Sequence, residues 1–170
     1  MDFLFESLPL RKKIGGIQYI KDKWGNFIPE NLECLPTKVP IRIRHPPDCL
    51  PLLAKVRGRN QECFVVITLD GVHQVIQLHE ITVGLADQTQ VHPRETYVCA
   101  LEDRAVAIVI AHNHPSGSLD PSMDDLLTTR RLADAGRLLG IPLLDHMIVS
   151  EAGYCSLKES FPDYFNPGVR

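Results

Sequence analysis

The sequence predicts an α/β domain built on a mixed central sheet flanked by helices. Three observations carry that expectation. The apolar runs at 63–69 and 105–111 are rich in Val and Ile, as strands buried on both faces are. A long stretch with helical spacing, 122–139, separates the second run from a third at 143–149. The elements follow one another without strict βα alternation, which points to a mixed sheet.

Residues 1 to 45 read as an extended arm or small hairpin, because Pro29, Pro36, Pro40, Pro46 and Pro47 interrupt every possible helix. Lys23-Trp24-Gly25-Asn26 looks like a turn between short extended pieces. Residues 46–160 form the main domain and 161–170 a C-terminal tail. Within the domain, Cys63–Leu69 is a buried strand closed by the turn signal Asp70-Gly71, and Val75–Val83 returns antiparallel to it. Pro93 sits where a first helical turn tolerates it, and 94–101 forms a helix with Glu95 at the positive end of its dipole. The strand 105–111 then delivers His112 at its C-terminal end. In the helix at 122–139, Leu127, Leu132, Ala135, Leu138 and Leu139 gather on one face, and Gly140 and Pro142 stop it. Residues 143–149 and 154–157 are the last two strands, with Gly153 turning between them.

Composition excludes several function classes. The 170 residues suit one ordinary domain, and 44% apolar with 23% charged residues is a globular balance. A net charge of −3 with no basic stripe gives no support to nucleic-acid binding. No run of about 18 apolar residues exists to cross a bilayer, and the first residues lack the order of a signal peptide, so a cytoplasmic home is expected. Five cysteines without CxxC spacing cannot all pair, so reduced thiols are expected and a Cys-ligated structural zinc is not.

The chemistry concentrates in one segment. His112 and His114, separated by one residue on an extended strand end, point to the same side and can offer nitrogens to one ion. Asp125, at the opening of the following helix, can fold its carboxylate back toward both imidazoles. Two histidines and a carboxylate make a common ligand set for catalytic zinc, with one position left open. The structural alternative is that Ser122 and Asp125, as Ser-x-x-Asp at a helix start, form a capping box.

The string His112-x-His114-Pro115-x6-Ser122-x2-Asp125 resembles the JAMM (MPN+) metalloprotease motif in every defined position. The segments 91–95, 111–117, 129–132 and 144–149 look like those of the RadC-like JAB domain of bacteria, over about residues 60 to 160. The resemblance implies a three-layer α-β-α fold of the cytidine-deaminase-like kind. It also implies a Zn2+ ion and hydrolysis of a peptide or isopeptide bond in a protein or peptide substrate. JAMM enzymes use a glutamate on the first strand as general base; Glu62 is the best match, and Glu95 competes with it. Ser122 carries over as a donor to the tetrahedral oxyanion. His146 reads as a core or ligand-supporting hydrogen-bond residue, His92 as the residue that sets up the Pro93 turn, and Ser116-Gly117 as loop shapers. The proline-rich arm does not resemble the helix-hairpin-helix region that usually precedes such domains, and a DNA-repair role is not carried over. Two rival readings stand beside the protease: a noncatalytic scaffold that binds a partner, and a zinc hydrolase acting on nucleic acid or a small molecule.

Overall fold

The computed structural model describes residues 11–14, 17–21, 27–29, 41–83 and 91–166. The chain divides into two compact units, Met1–Pro40 and Ile41–Arg170. In the first, β1 (Arg11–Ile14), β2 (Ile17–Lys21) and β3 (Phe27–Pro29) pair antiparallel in the order β1-β2-β3, one strand more than a hairpin. The turn expected at 23–26, like Cys34, lies outside the described residues.

The second unit opens with a 3-10 turn at Pro46–Cys49 and the short helix α1 (Ala54–Arg57). Ile43, expected in the arm, is buried with this unit, and Arg42 bridges to Gln74. Next come β4 (Cys63–Leu69), β5 (Val75–Val83), helix α2 (Pro93–Glu102), β6 (Ala107–Asn113) and helix α3 (Met123–Leu139). The unit closes with β7 (Leu143–Ser150), β8 (Gly153–Ser156), the short helix α4 (Leu157–Ser160) and a 3-10 turn at Pro162–Tyr164.

The five strands lie in the order β5-β4-β6-β7-β8. Only the β6–β7 pair is parallel, with α3 as its crossover; the others are antiparallel, so the sheet is mixed as expected. Every residue of β4 and β6 is buried, which explains their unbroken apolar runs. Period-two alternation sorts their side chains onto two faces. Cys63, Val65, Ile67, Val109, Ala111, Met147 and Val149 pack under Ile43–Val56. Phe64, Val66, Ile108 and Ile110 pack under α2 and α3, against Tyr97, Ala100 and Leu132. Helical cover on both faces makes three layers.

The apolar face expected on α3 needs correction. The helix buries Leu126, Thr129, Leu132 and Gly136, while Leu127, Leu138 and Leu139 are exposed. The buried positions recur at helical spacing, but two of the four are not leucines, so counting leucines picks the wrong stripe. Gly136 is buried because the helix crosses directly over Tyr97: a Cβ there would overlap the phenol oxygen and the Ile141 carbonyl. The Tyr97 hydroxyl donates to the Leu132 carbonyl at 2.9 Å. Gly140 ends the helix at φ 71°, a left-handed conformation that glycine adopts without steric cost.

Among the described residues, Cys49, Cys63, Cys99 and Cys155 are free thiols, and no helix is long and apolar enough to cross a membrane. Burial pushes the Cys49 thiol up to about 12 and the Cys63 thiol to about 11, with neighbouring carboxylates adding to the effect.

Candidate metal centre

β6 does not end before His112; it runs through Asn113. Its ladder continues on both sides, with Phe64 of β4 opposite His112 and Val149 of β7 opposite Asn113. His112 is thereby a strand residue, 1% exposed, on the face that packs under α3. His114 follows one residue past the strand and keeps the same side by alternation. Ser122 is the N-cap of α3 and Asp125 its third residue. The capping box is complete: the Asp125 amide donates to Ser122 Oγ at 3.1 Å, and the Ser122 amide to Asp125 Oδ2 at 2.7 Å. The cap fixes the carboxylate over the strand end.

His112 Nε2 lies 3.0 Å from His114 Nε2 and 3.2 Å from Asp125 Oδ1, while His114 Nε2 lies 3.6 Å from Asp125 Oδ2. One ligand atom from each of the three residues falls within 4.8 Å of the others. Tetrahedral ligands bonded at zinc distances are separated by about 3.3 Å. The observed spacings bracket that value.

Hydrogen bonding decides where the protons sit. The single proton of Thr129 goes to the Asp125 carbonyl at 2.7 Å, since a carbonyl can only accept. Thr129 Oγ1 therefore accepts from His146 Nδ1 at 2.6 Å. In neutral His146 this leaves Nε2 as an acceptor, which takes the proton of His112 Nδ1 at 2.9 Å. The Nε2 of His112 is then a bare lone pair. His114 reaches the same state, its Nδ1 donating to the Ser118 carbonyl at 3.1 Å. Two lone pairs and a carboxylate thus face one another, an arrangement that calls for a cation among them. The donor set fits zinc.

The electrostatics agree. Burial lowers His112 to about 4, with Asp125 opposing and His114 adding to the shift, so the imidazole is neutral at physiological pH. Burial also takes His146 well below its ordinary value, His112 adding to the effect. The Asp125 carboxylate beside it raises His114 by favouring the protonated ring, against the pull of desolvation. Desolvation works to raise Asp125, but the neighbouring imidazoles of His114 and His112 and the hydrogen bonds from Ser122 hold it well below the usual carboxylate range. The pocket attracts positive charge.

Glu62 stands immediately before β4 and lines the same cavity, of about 560 Å³, with Phe64, His112, Ser122, Asp125 and Arg131. By alternation it shares the face of Phe64, opposite His112. Partial burial raises its pKa; the Asp125 charge adds and His114 opposes. Glu95 is placed differently, exposed in the first turn of α2 and paired with Arg94 at 2.9 Å. His92 caps that helix, its Nδ1 accepting from the Arg94 amide. Ser122 is exposed at the cavity wall, but its proton is engaged: Oγ donates to Asp125 Oδ2 at 2.7 Å. An oxyanion would have to take that proton over from the carboxylate.

Two residues that support the histidines carried no sequence signal of a role. Thr129 is fully buried and orients His146; a polar residue on the buried stripe of α3 is its only trace. Phe64 stacks on His112 at 6.3 Å and meets His146 edge-on at 5.9 Å, yet in sequence it is one apolar strand residue among several.

The family model for the RadC-like JAB domain matches residues 43–161. Similar proteins include a UPF0758 protein of Methanospirillum hungatei, 45% identical over 120 residues, or 69% of this chain and 53% of that protein. A UPF0758 protein of Alkaliphilus metalliredigens is 43% identical over 119 residues, 69% of this chain and 51% of its own length. One from Desulforamulus reducens is 32% identical over 154 residues, covering 90% of this chain and 68% of that protein. The chain spans about half the length of the first two relatives. The mixed sheet, the helical layers and the matched segment together place it: this chain belongs to the RadC-like JAB domain family.

Proposed function

We propose that this protein is a zinc-dependent hydrolase of the JAMM type, cleaving a peptide or isopeptide bond. The observation that carries the reading is the convergence of three acceptors, His112 Nε2, His114 Nε2 and the Asp125 carboxylate, with both imidazole tautomers set by hydrogen bonds behind them. These three residues would hold the metal. A zinc ion there supplies Lewis acidity, bringing the pKa of a water toward about 7 and polarising the scissile carbonyl.

The chain's own residues do the rest. Glu62 takes a proton from the attacking water and passes it to the leaving nitrogen, a task helped by a pKa raised toward the working pH. Ser122 stabilises the developing oxyanion when its proton turns from Asp125 toward the substrate, a contact that counts only where it strengthens in the transition state. Phe64 and Val91 give one wall of the cavity an apolar surface.

Metal content and turnover test the reading together. Purified protein should hold close to one zinc per chain by mass spectrometry, and Asp125→Ala should lose most of it. Glu62→Gln should keep the metal and lose cleavage of a pool of fluorogenic peptides and isopeptide-linked dipeptides. Full zinc retention by Asp125→Ala would sink the metal assignment. A metal-loaded wild type that cleaves nothing in the pool favours the noncatalytic scaffold.

A further inference from the structure

The residue between the two histidines is itself fully buried. Asn113 faces away from His112, toward the segment that precedes β4. Its Oδ1 accepts from the Cys63 amide at 2.8 Å, and its Nδ2 donates to the Arg59 carbonyl at 3.0 Å and the Gln61 carbonyl at 3.1 Å. An amide is the side chain this site demands, since one end must accept and the other must give two protons. The partners also fix which end is which.

The two inner partners are the peptide groups on either side of Glu62. The Gln61 carbonyl belongs to the peptide plane that sets φ of Glu62, and the Cys63 amide to the plane that sets ψ. One side chain therefore holds both backbone torsions of that residue. Glu62 has no such brace in its own side chain, which is exposed at the cavity rim. The segment is closed further by Arg59, which reaches Cys63 Sγ at 3.2 Å and pairs with Glu80 at 2.7 Å.

We propose that Asn113 is a positioning residue for Glu62, locking the backbone on both sides of the candidate base to the strand that carries His112. The inference rests on the reading of Glu62 as base. It gives the residue between the histidines a duty of its own: adjacent positions of β6 set the metal ligand on one face and the aim of the base from the other. A shift of either would shift both, so their separation is held by a single strand.

The test uses the full chain supplemented with zinc, with the same fluorogenic pool as probe. In Asn113→Ala, hydrogen exchange at the Cys63 amide should rise at least tenfold and zinc content should stay near wild type. Its kcat should fall at least tenfold with KM within twofold, and in the double variant Asn113→Ala should add no loss to that of Glu62→Gln alone. Asn113→Asp keeps the acceptor for Cys63 but sets an oxygen against two carbonyls; it should show an intermediate kcat with the Cys63 amide still protected. Unchanged exchange at Cys63 in Asn113→Ala, or losses that multiply in the double variant, would overturn the proposal. Full turnover by Glu62→Gln alone overturns the base assignment instead, a failure distinct from that of the tether, which is read at the amide.

Discussion

The two faces of the central sheet are built by the same strands and bury different things. Under Ile43–Val56 the strands present Val65, Ile67, Val109, Ala111, Met147 and Val149, a nearly continuous apolar layer. Among its buried polar side chains, Asn113 and Asp145 are saturated by fixed partners, Asp145 by Ser156 Oγ and the amides of His146 and Lys158. Under α2 and α3 the same strands present Val66, Ile108 and Ile110, but also His112 near the end of β6 and His146 in the middle of β7. One face is a platform. The other gives two buried strand positions to groups that burial disfavours unless each is hydrogen-bonded.

That contrast can be broken from either side. Ile67→Ala on the apolar face should cost about 2–5 kcal/mol of stability in denaturant unfolding, the loss of transfer energy plus a cavity, and leave zinc affinity within twofold of wild type. Thr129→Val on the other face keeps the shape but removes the oxygen that orients His146. Its expected effect is a zinc affinity lower by about 10- to 100-fold in a chelator competition, with a smaller change in stability. A stability loss without loss of affinity would show that the histidine chain is packing alone.

A second polar group on the α2 and α3 side separates polarity from metal binding. Asp103, at the end of α2, accepts from Thr68 Oγ1 at 2.6 Å and meets His79 Nε2 at 2.6 Å. Desolvation works to raise its pKa, but these bonds hold it below its ordinary value. A depressed acid contributes stability above the unfolded-state value, lost as pH falls through the folded one. Asp103→Asn should therefore cost about 1 kcal/mol at neutral pH, a difference that shrinks in unfolding curves taken below about pH 4, with zinc binding untouched. Smallest of all, Leu138→Gln should change stability by no more than about 0.5 kcal/mol, because Leu138 is 86% exposed.

The strands were legible because β4 and β6 are buried on both faces and must be apolar throughout. The grouping of His112, His114 and Asp125 was legible because they lie close in sequence and two histidines and a carboxylate at that spacing can converge. Less legible was everything whose role depends on distant partners. Leucine spacing misplaced the buried stripe of α3, since what Leu126, Thr129 and Gly136 meet is decided by His146 and Tyr97 on other elements. His112 was read as lying past its strand, because the Phe64 and Val149 pairings that extend β6 are long-range. Asn113 gave no sign of its task for the same reason.

The ligands and the proposed base also differ in how the chain must travel to assemble them. His112 and Asp125 are thirteen positions apart and joined by a short loop and a helix cap. The Asn113 contact proposed to aim Glu62 spans 50 positions and exists only once β4 has paired with β6. Closing the short loop costs less entropy, and local contacts form earlier than distant ones. If His112, His114 and Asp125 hold a metal as proposed, a nascent or partly unfolded chain can capture it, with folding stabilised in return, while the proposed base is still out of place. Under the proposed function, hydrolytic competence would be a property of the completed sheet, and an immature chain would carry its ion without the means to cut its neighbours.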